Sequence, residues 1–343
     1  MTRIAELYAS LRRRTSVECA LSLPRRSLAV HSSSNELAAA AHRALTAGRI
    51  PGIETRSQPD DVCVVEYFSH AGFDIDAVGQ LPSRSYHHET MGFFNAFDLE
   101  DGTAVVQPGR SALLCSATGE IVWLVADDIL GGDPDRWPNL LDLAMVLIAE
   151  SLRRGGCFLA HAGGVGRDGR CLLLVGESGA GKSTLALRKA IAGWDFYGDD
   201  MVIVGQDSDG SWRVYPFWRP VHLTPQSLML LGNPRVRSPK FTVDNKVQCD
   251  IAELAPVQPP TSGLLQAVLC LQPARLPVVP ERLDPADAMP ALGAALLSGL
   301  NLQNTQHDLE NLLELVTSTP VYRGSWDTDA QAIDALIQCE QPC

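Results

Sequence analysis

The chain has 343 residues, 45% hydrophobic and 20% charged, with a formal net charge of −12 and a pI of about 5.1. That length exceeds one ordinary core and points to two domains, while the acidity argues against a nucleic-acid binder, which carries a basic face. Nine cysteines, an odd count with no CxxC pair, argue against a disulfide framework or a zinc site and for a reducing, cytoplasmic compartment.

The opening residues place Ile4, Leu7, Tyr8 and Leu11 at helical spacing. This predicts an amphipathic helix packed on its own domain rather than laid on a membrane surface, and no apolar run of signal-peptide length is present. Residues 27–33 read as a strand. A helix over 36–48 follows, capped by Ser34 or Asn35 and ended by Gly48. Residues 61–68 read as the next strand. Residues 102–128 read as short strands with turns at Pro108-Gly109 and Thr118-Gly119. Residues 1–132 are thus expected to form a smaller α/β domain with no catalytic motif, serving substrate or partner recognition. His70, His87 and His88 match no common metal spacing and read as surface-loop residues.

The loop 131–138 is rich in Gly and Pro and reads as a domain boundary. The helix over 139–154 is apolar on nearly every face, which predicts burial. Residues 157–165 and 171–176 are apolar and strand-like, joined by a hairpin turn at Arg167-Asp168-Gly169-Arg170. Residues 194–206 read as strand, carboxylate pair and strand, and 206–212 as another turn. A polar loop at 232–248 carries Arg235, Arg237, Lys240 and Lys246 and reads as a candidate phosphate or substrate gate. No apolar stretch is long enough to span a bilayer.

Between the two apolar strands and a helix stands Gly176-Glu177-Ser178-Gly179-Ala180-Gly181-Lys182-Ser183-Thr184, a G-x-x-x-x-G-K-S Walker A loop. Glycines let successive backbone N–H groups point inward at a phosphate, and the helix start adds partial positive charge there. Lys182 reaches the β- and γ-phosphates, and the Ser183 hydroxyl sits on Mg²⁺. Lysine is scarce here, four residues against 24 arginines, so Lys182 stands out against an arginine-rich background. Asp199-Asp200 follow a strand. Carboxylates beside a phosphate and Mg²⁺ bind the metal or accept the proton of an attacking hydroxyl. His161 lies in an apolar strand, the setting of a core histidine as much as of a catalyst.

Taken together, the run from His161 through the loop to Asp199-Asp200 resembles the HPr kinase/phosphorylase family and its HPr-kinase-like relatives. Those proteins share a histidine at a strand end, a hairpin, a GxSGxGKS loop, a helix closing on Gly-Trp or Gly-His, and a strand ending in Asp-Asp. The match is specific over 157–204 and looser from 139 to 338. It implies an α/β domain with a mixed sheet related to phosphoenolpyruvate carboxykinase. It implies ATP- and Mg²⁺-dependent transfer of the γ-phosphate to a serine hydroxyl of a protein or peptide. It also implies His161 near the γ-phosphate, one aspartate as base and the other on Mg²⁺, in position order Asp199 then Asp200, and assembly into a homo-oligomer. The glutamate stretch that HPr kinases proper carry after the Asp pair is missing. The segment 216–225, with Trp218-Arg219-Pro220, stands there instead, which argues against HPr as acceptor. Two other readings stay open: a small-molecule kinase of the same fold, and a non-catalytic nucleotide sensor.

Overall fold

A computed structural model describes residues 3–15, 17–46, 50, 59–74, 78–79, 81–88, 92–107, 111–127, 138–232, 236, 240–241, 246–273, 279–296, 305–325, 327 and 330–338. Apart from Ile50, the described residues up to Gly155 form one compact unit and those from Gly156 onward a second. Both are mixed α/β. Among the described residues no helix is long and apolar enough to cross a membrane.

The first unit contains α1 (Ile4–Arg12), β1 (Val17–Leu23), β2 (Arg26–Ser32), α2 (Asn35–Thr46), β3 (Asp61–Tyr67), α3 (Phe68–Ala71), β4 (Ser83–His88), β5 (Gly92–Leu99), β6 (Gly102–Gln107), β7 (Ser111–Ser116), β8 (Ile121–Val125) and α4 (Pro138–Arg154). Its eight strands run β1-β2-β3-β8-β7-β6-β5-β4. The β2–β3 and β3–β8 pairs are parallel and the β4-to-β8 meander is antiparallel. Central strands β7 and β8 are buried throughout, as expected of strands covered on both faces. The apolar stripe of α1 explains its seat: Ile4, Leu7 and Leu11 are buried against Val64, Leu114, Val122 and Leu124. Ser34, rather than Asn35, caps α2, its Oγ accepting from the Leu37 N–H at 3.2 Å. Gly48, Pro108 and Gly109 lie outside the described residues. His70 lies on α3 and His87 and His88 on β4, not in loops.

Helix α4 belongs to this unit, so the division falls between Gly155 and Gly156, later than the loop 131–138. The reason is a buried polar network. Arg26 on β2 grips Asp61 on β3 with two N–H groups at 2.9 Å. From α4, Ser151 donates to Asp61 at 2.5 Å and Arg154 at 3.3 Å. Arg153 and Arg154 both donate to the fully buried Glu150. A buried carboxylate is tolerated only when so paired, and this pairing fixes α4 to β2 and β3.

The second unit contains β9 (Cys157–Ala160), β10 (Gly163–Arg167), β11 (Arg170–Val175), α5 (Lys182–Ile191), β12 (Asp195–Gly198), β13 (Val202–Gln206), β14 (Trp212–Tyr215), β15 (Val221–Leu223), α6 (Pro225–Leu230), β16 (Lys240–Phe241), β17 (Val247–Cys249), α7 (Ile251–Leu254), β18 (Gly263–Leu271), β19 (Glu281–Arg282), α8 (Pro285–Leu296), α9 (Thr305–Ser318), β20 (Val321–Gly324) and α10 (Ala330–Gln338). Its main sheet runs β12-β10-β11-β18-β14-β13-β9, with β20 joining at β18 and β19 at β20. The β11–β18 and β18–β20 pairs are parallel, and the other pairs are antiparallel. Strands β15, β17 and β16 form a small separate sheet.

The apolar run 157–165 is therefore two strands, broken at His161-Ala162. In the sheet order β9 and β10 stand five places apart. In a flat sheet that is about 24 Å, at roughly 4.8 Å per strand, whereas the three residues from Ala160 to Gly163 reach about 10 Å. The same holds for β12 and β13. The sheet must curl until its two ends meet, and glycines permit the approach. A Cβ on Gly164 would lie 2.9 Å from Tyr197 Cβ and 3.3 Å from Val202 Cγ1. Inside the curl, Phe158, Ala160, Leu173, Tyr197, Val202 and Val214 form one core with α8 and α9. On the outer face, Leu172, Leu174, Leu185 and Ala186 form another with α10.

Candidate active site

Curling the sheet has one consequence for chemistry. Two short crossovers, 161–162 and 199–201, bridge the same seam, and both carry ionisable side chains. Gly163 shows how close they run, since a Cβ there would lie 3.3 Å from the Asp199 carbonyl oxygen. The first crossover is held by the His161 N–H donating to the Ala295 carbonyl at 2.9 Å. His161 Nε2 then lies 3.2 Å from Asp200 Oδ1. A histidine hidden in a continuous strand would have no such access; the break is what presents it.

The glycine-rich loop leaves β11 and enters α5. Gly179 and Gly181 hold φ values of +81° and +98°, which side-chain-bearing residues rarely adopt. Gly181 is the N-cap of α5, so the first N–H groups of the helix face the loop. Glu177, Ser178 and Gly179 are exposed and Ala180 is buried, leaving the rim of the loop open to solvent. Lys182, on the first turn, is buried and donates to the carbonyls of Gly176 at 2.7 Å and Glu177 at 3.2 Å. Thr184 Oγ1 donates to Ser227 Oγ at 3.3 Å, and Ser227 is held by the N-cap Thr224 of α6. The cap is Thr224 with Pro225 at the first helical position.

The Ser183 hydroxyl faces Asp199 and favours its ionised form. Asp199 is buried, and that burial, reinforced by the neighbouring charge of Asp200, raises its carboxyl to about 7 even though Ser183 partly opposes the shift. Burial also pushes Asp200 upward, but the hydrogen bond and charge of His161, with Arg219 and Lys182 behind them, prevail and bring it to about 2. Arg219 Nη1 stands 3.5 Å from Asp200 Oδ2. The two carboxylates, in the bend after β12, thus face different ways: Asp199 inward to Ser183, Asp200 outward to His161 and Arg219.

All of the residues singled out in the sequence, His161, 176–184, Asp199 and Asp200, therefore fall in the second unit, around one seam and one loop. Arg219 joins them, a residue whose position in sequence did not decide its role. Arg235 and Arg237 lie outside the described residues, Lys240 lies on β16, and Lys246 is half-buried.

The donors fit a phosphate-borne divalent cation. Among the described residues no group of three or more His, Cys, Asp or Glu side chains could hold a metal ion. Mg²⁺ does not need such a cage. It keeps waters, takes one or two carboxylates and shares phosphate oxygens, a role open to Ser183 with a carboxylate of the pair.

Residues 136–234 match the family described as SynChlorMet cassette protein ScmC. No curated protein matches the chain. Among solved structures, that of the Hpr(Ser) kinase/phosphatase from Coxiella burnetii aligns at 11% identity over 52% of this chain and 91% of its own. The TM-score is 0.27, a distant likeness that bears no weight for fold or chemistry.

Proposed function

We propose that the second unit is a Mg²⁺- and ATP-dependent kinase that transfers the γ-phosphate to a serine hydroxyl of a protein or peptide. The observation that carries this reading is the meeting of two half-sites: the loop with Lys182 and Ser183 against Asp199, and the His161–Asp200–Arg219 cluster on the other side of the same pair. A simple nucleotide switch needs only the first half.

In this reading the backbone N–H groups of 176–183 and the Lys182 ammonium hold the triphosphate. Magnesium, when bound, neutralises phosphate charge. Ser183 and Asp199 would hold it, because a buried carboxylate beside a like charge gains most from a cation. Asp200, turned outward, receives the proton of the attacking serine, and His161 orients that carboxylate. Contacts thus support the reverse of the order expected from position. First-unit residues are assigned acceptor recognition. The match to a family described as a cassette protein favours a dedicated acceptor over HPr.

Incubating the intact chain with γ-labelled ATP, Mg²⁺ and candidate serine-bearing proteins and peptides tests this directly. The expected product is phosphoserine on one acceptor. Tight ATP binding with no label in any acceptor, and no turnover in water, would support the non-catalytic sensor instead. Label in a small metabolite would support the small-molecule kinase.

A further inference from the structure

Arg219 belongs to none of the motifs above, yet its position is tightly specified. The segment after β14 is stitched along β12: the Phe217 N–H donates to the Tyr197 carbonyl at 2.9 Å, and Trp218 Nε1 donates to the Phe196 carbonyl at 2.9 Å. Phe217 is buried, and the Trp218 ring packs at 6.1 Å from that of Phe196. The next residue is thereby delivered beside Asp200, which stands two residues beyond the end of β12. The side chain of Arg219 is 29% exposed and that of Asp200 is 37% exposed. A pair this open adds little to stability, so two anchoring hydrogen bonds and a buried aromatic place a guanidinium where its energetic return as a structural ion pair is small.

Resting on the kinase reading, we infer that Arg219 is the cation that engages the phosphoryl group during transfer, and that Asp200 holds it at the mouth of the site beforehand. In the reaction the bond from the γ-phosphorus to the bridging oxygen breaks, and its electron pair leaves with ADP. The bond to the serine oxygen forms, and the serine proton passes to Asp200. Charge spreads over the three equatorial oxygens of the moving group. Lys182, drawn back onto the loop carbonyls, is a point charge at the β/γ end. The planar fork of an arginine matches two of the equatorial oxygens at once. Asp200 then exchanges one cationic neighbour for the proton it receives.

The test uses the full chain with MgATP, reading both the affinity for the nucleotide and its turnover, by acceptor or by water. Arg219→Gln is expected to bind MgATP within about threefold of wild type and to lose about 10³-fold in kcat, the scale of a transition-state arginine. Arg219→Lys, which keeps the charge for Asp200 but not the fork, is expected to recover little. Guanidinium ion added to Arg219→Ala is expected to restore turnover in part. Wild-type kcat in Arg219→Gln, or full recovery in Arg219→Lys with the defect confined to KM, would overturn the assignment. A wild type that binds MgATP but never turns it over, or does not bind it, removes the kinase reading and this role together, a result separate from either variant outcome.

Discussion

At the scale of single residues, the carboxylate pair is the most informative feature. Asp199 and Asp200 have the same chemistry and adjacent places in the chain, yet burial and partners push them to about 7 and about 2. Divergence of this kind marks sites that assign different jobs to like groups. It also has a thermodynamic signature. Asp199 is raised from 3.8 in the folded chain, so between pH 4 and 7 the folded state binds more protons than the unfolded one. Its contribution to stability is therefore greatest below pH 4 and is lost as pH rises through 7. For the nucleotide-free chain, the stability difference between Asp199→Asn and wild type should grow in the variant's favour by about 3 kcal/mol across that interval. Urea denaturation at pH 5 and pH 8 measures it; a pH-independent difference would mean that Asp199 is ionised without penalty.

At the scale of elements, the loop and the strands around it show how backbone geometry is built from glycine. Gly176 has φ +153°, and a Cβ there would lie 2.6 Å from the Leu271 carbonyl oxygen. Gly179 also has positive φ but no neighbour within 4 Å of a Cβ. Gly176→Ala should therefore destabilise by about 3 kcal/mol and displace β11 from β18, whereas Gly179→Ala should cost about 1 kcal/mol through backbone strain alone. Denaturant midpoints rank the two; equal effects would show that the Leu271 contact yields. The loop itself, its entering strand and its leaving helix were legible in the sequence, because a glycine pattern flanked by an apolar run and an amphipathic run is a local signal. So were the Asp168-Gly169 hairpin and the α1 stripe. The break at His161-Ala162 was not. Residues 157–165 are apolar throughout, and whether such a run is one strand or two depends on where its partners lie. Arg219 stood out in sequence only as part of the segment 216–225, its role undecided, for the same reason: its place is set by hydrogen bonds from Phe217 and Trp218 to β12, a contact across about 20 residues of sequence that no periodicity encodes.

At the scale of the whole molecule, the chain holds two units with separate cores, and the dividing line follows contacts rather than composition. The glycine- and proline-rich loop at 131–138 looked like the boundary, but Ser151 and Arg154 commit α4 to Asp61. Removing that carboxylate takes the ion-pair partner from Arg26 and the acceptor from Ser151, while Arg154 keeps Glu150, a loss of about 1–3 kcal/mol. Asp61→Ala is thus expected to release the amides of α4, β2 and β3 to hydrogen exchange together, while β11 and β18 keep their protection. Exchange of α4 in step with β11 would contradict the division. The proposed chemistry belongs to the second unit, where the curled sheet brings two crossovers and the glycine-rich loop to one seam. The most direct test of that arrangement compares single-turnover phosphoryl transfer from MgATP in wild type and Asp200→Asn, with nucleotide affinity measured on the same samples. The variant is expected to keep its affinity within a few-fold and to lose transfer by at least about 100-fold, the scale of a lost general base. Transfer at the wild-type rate in Asp200→Asn would contradict it.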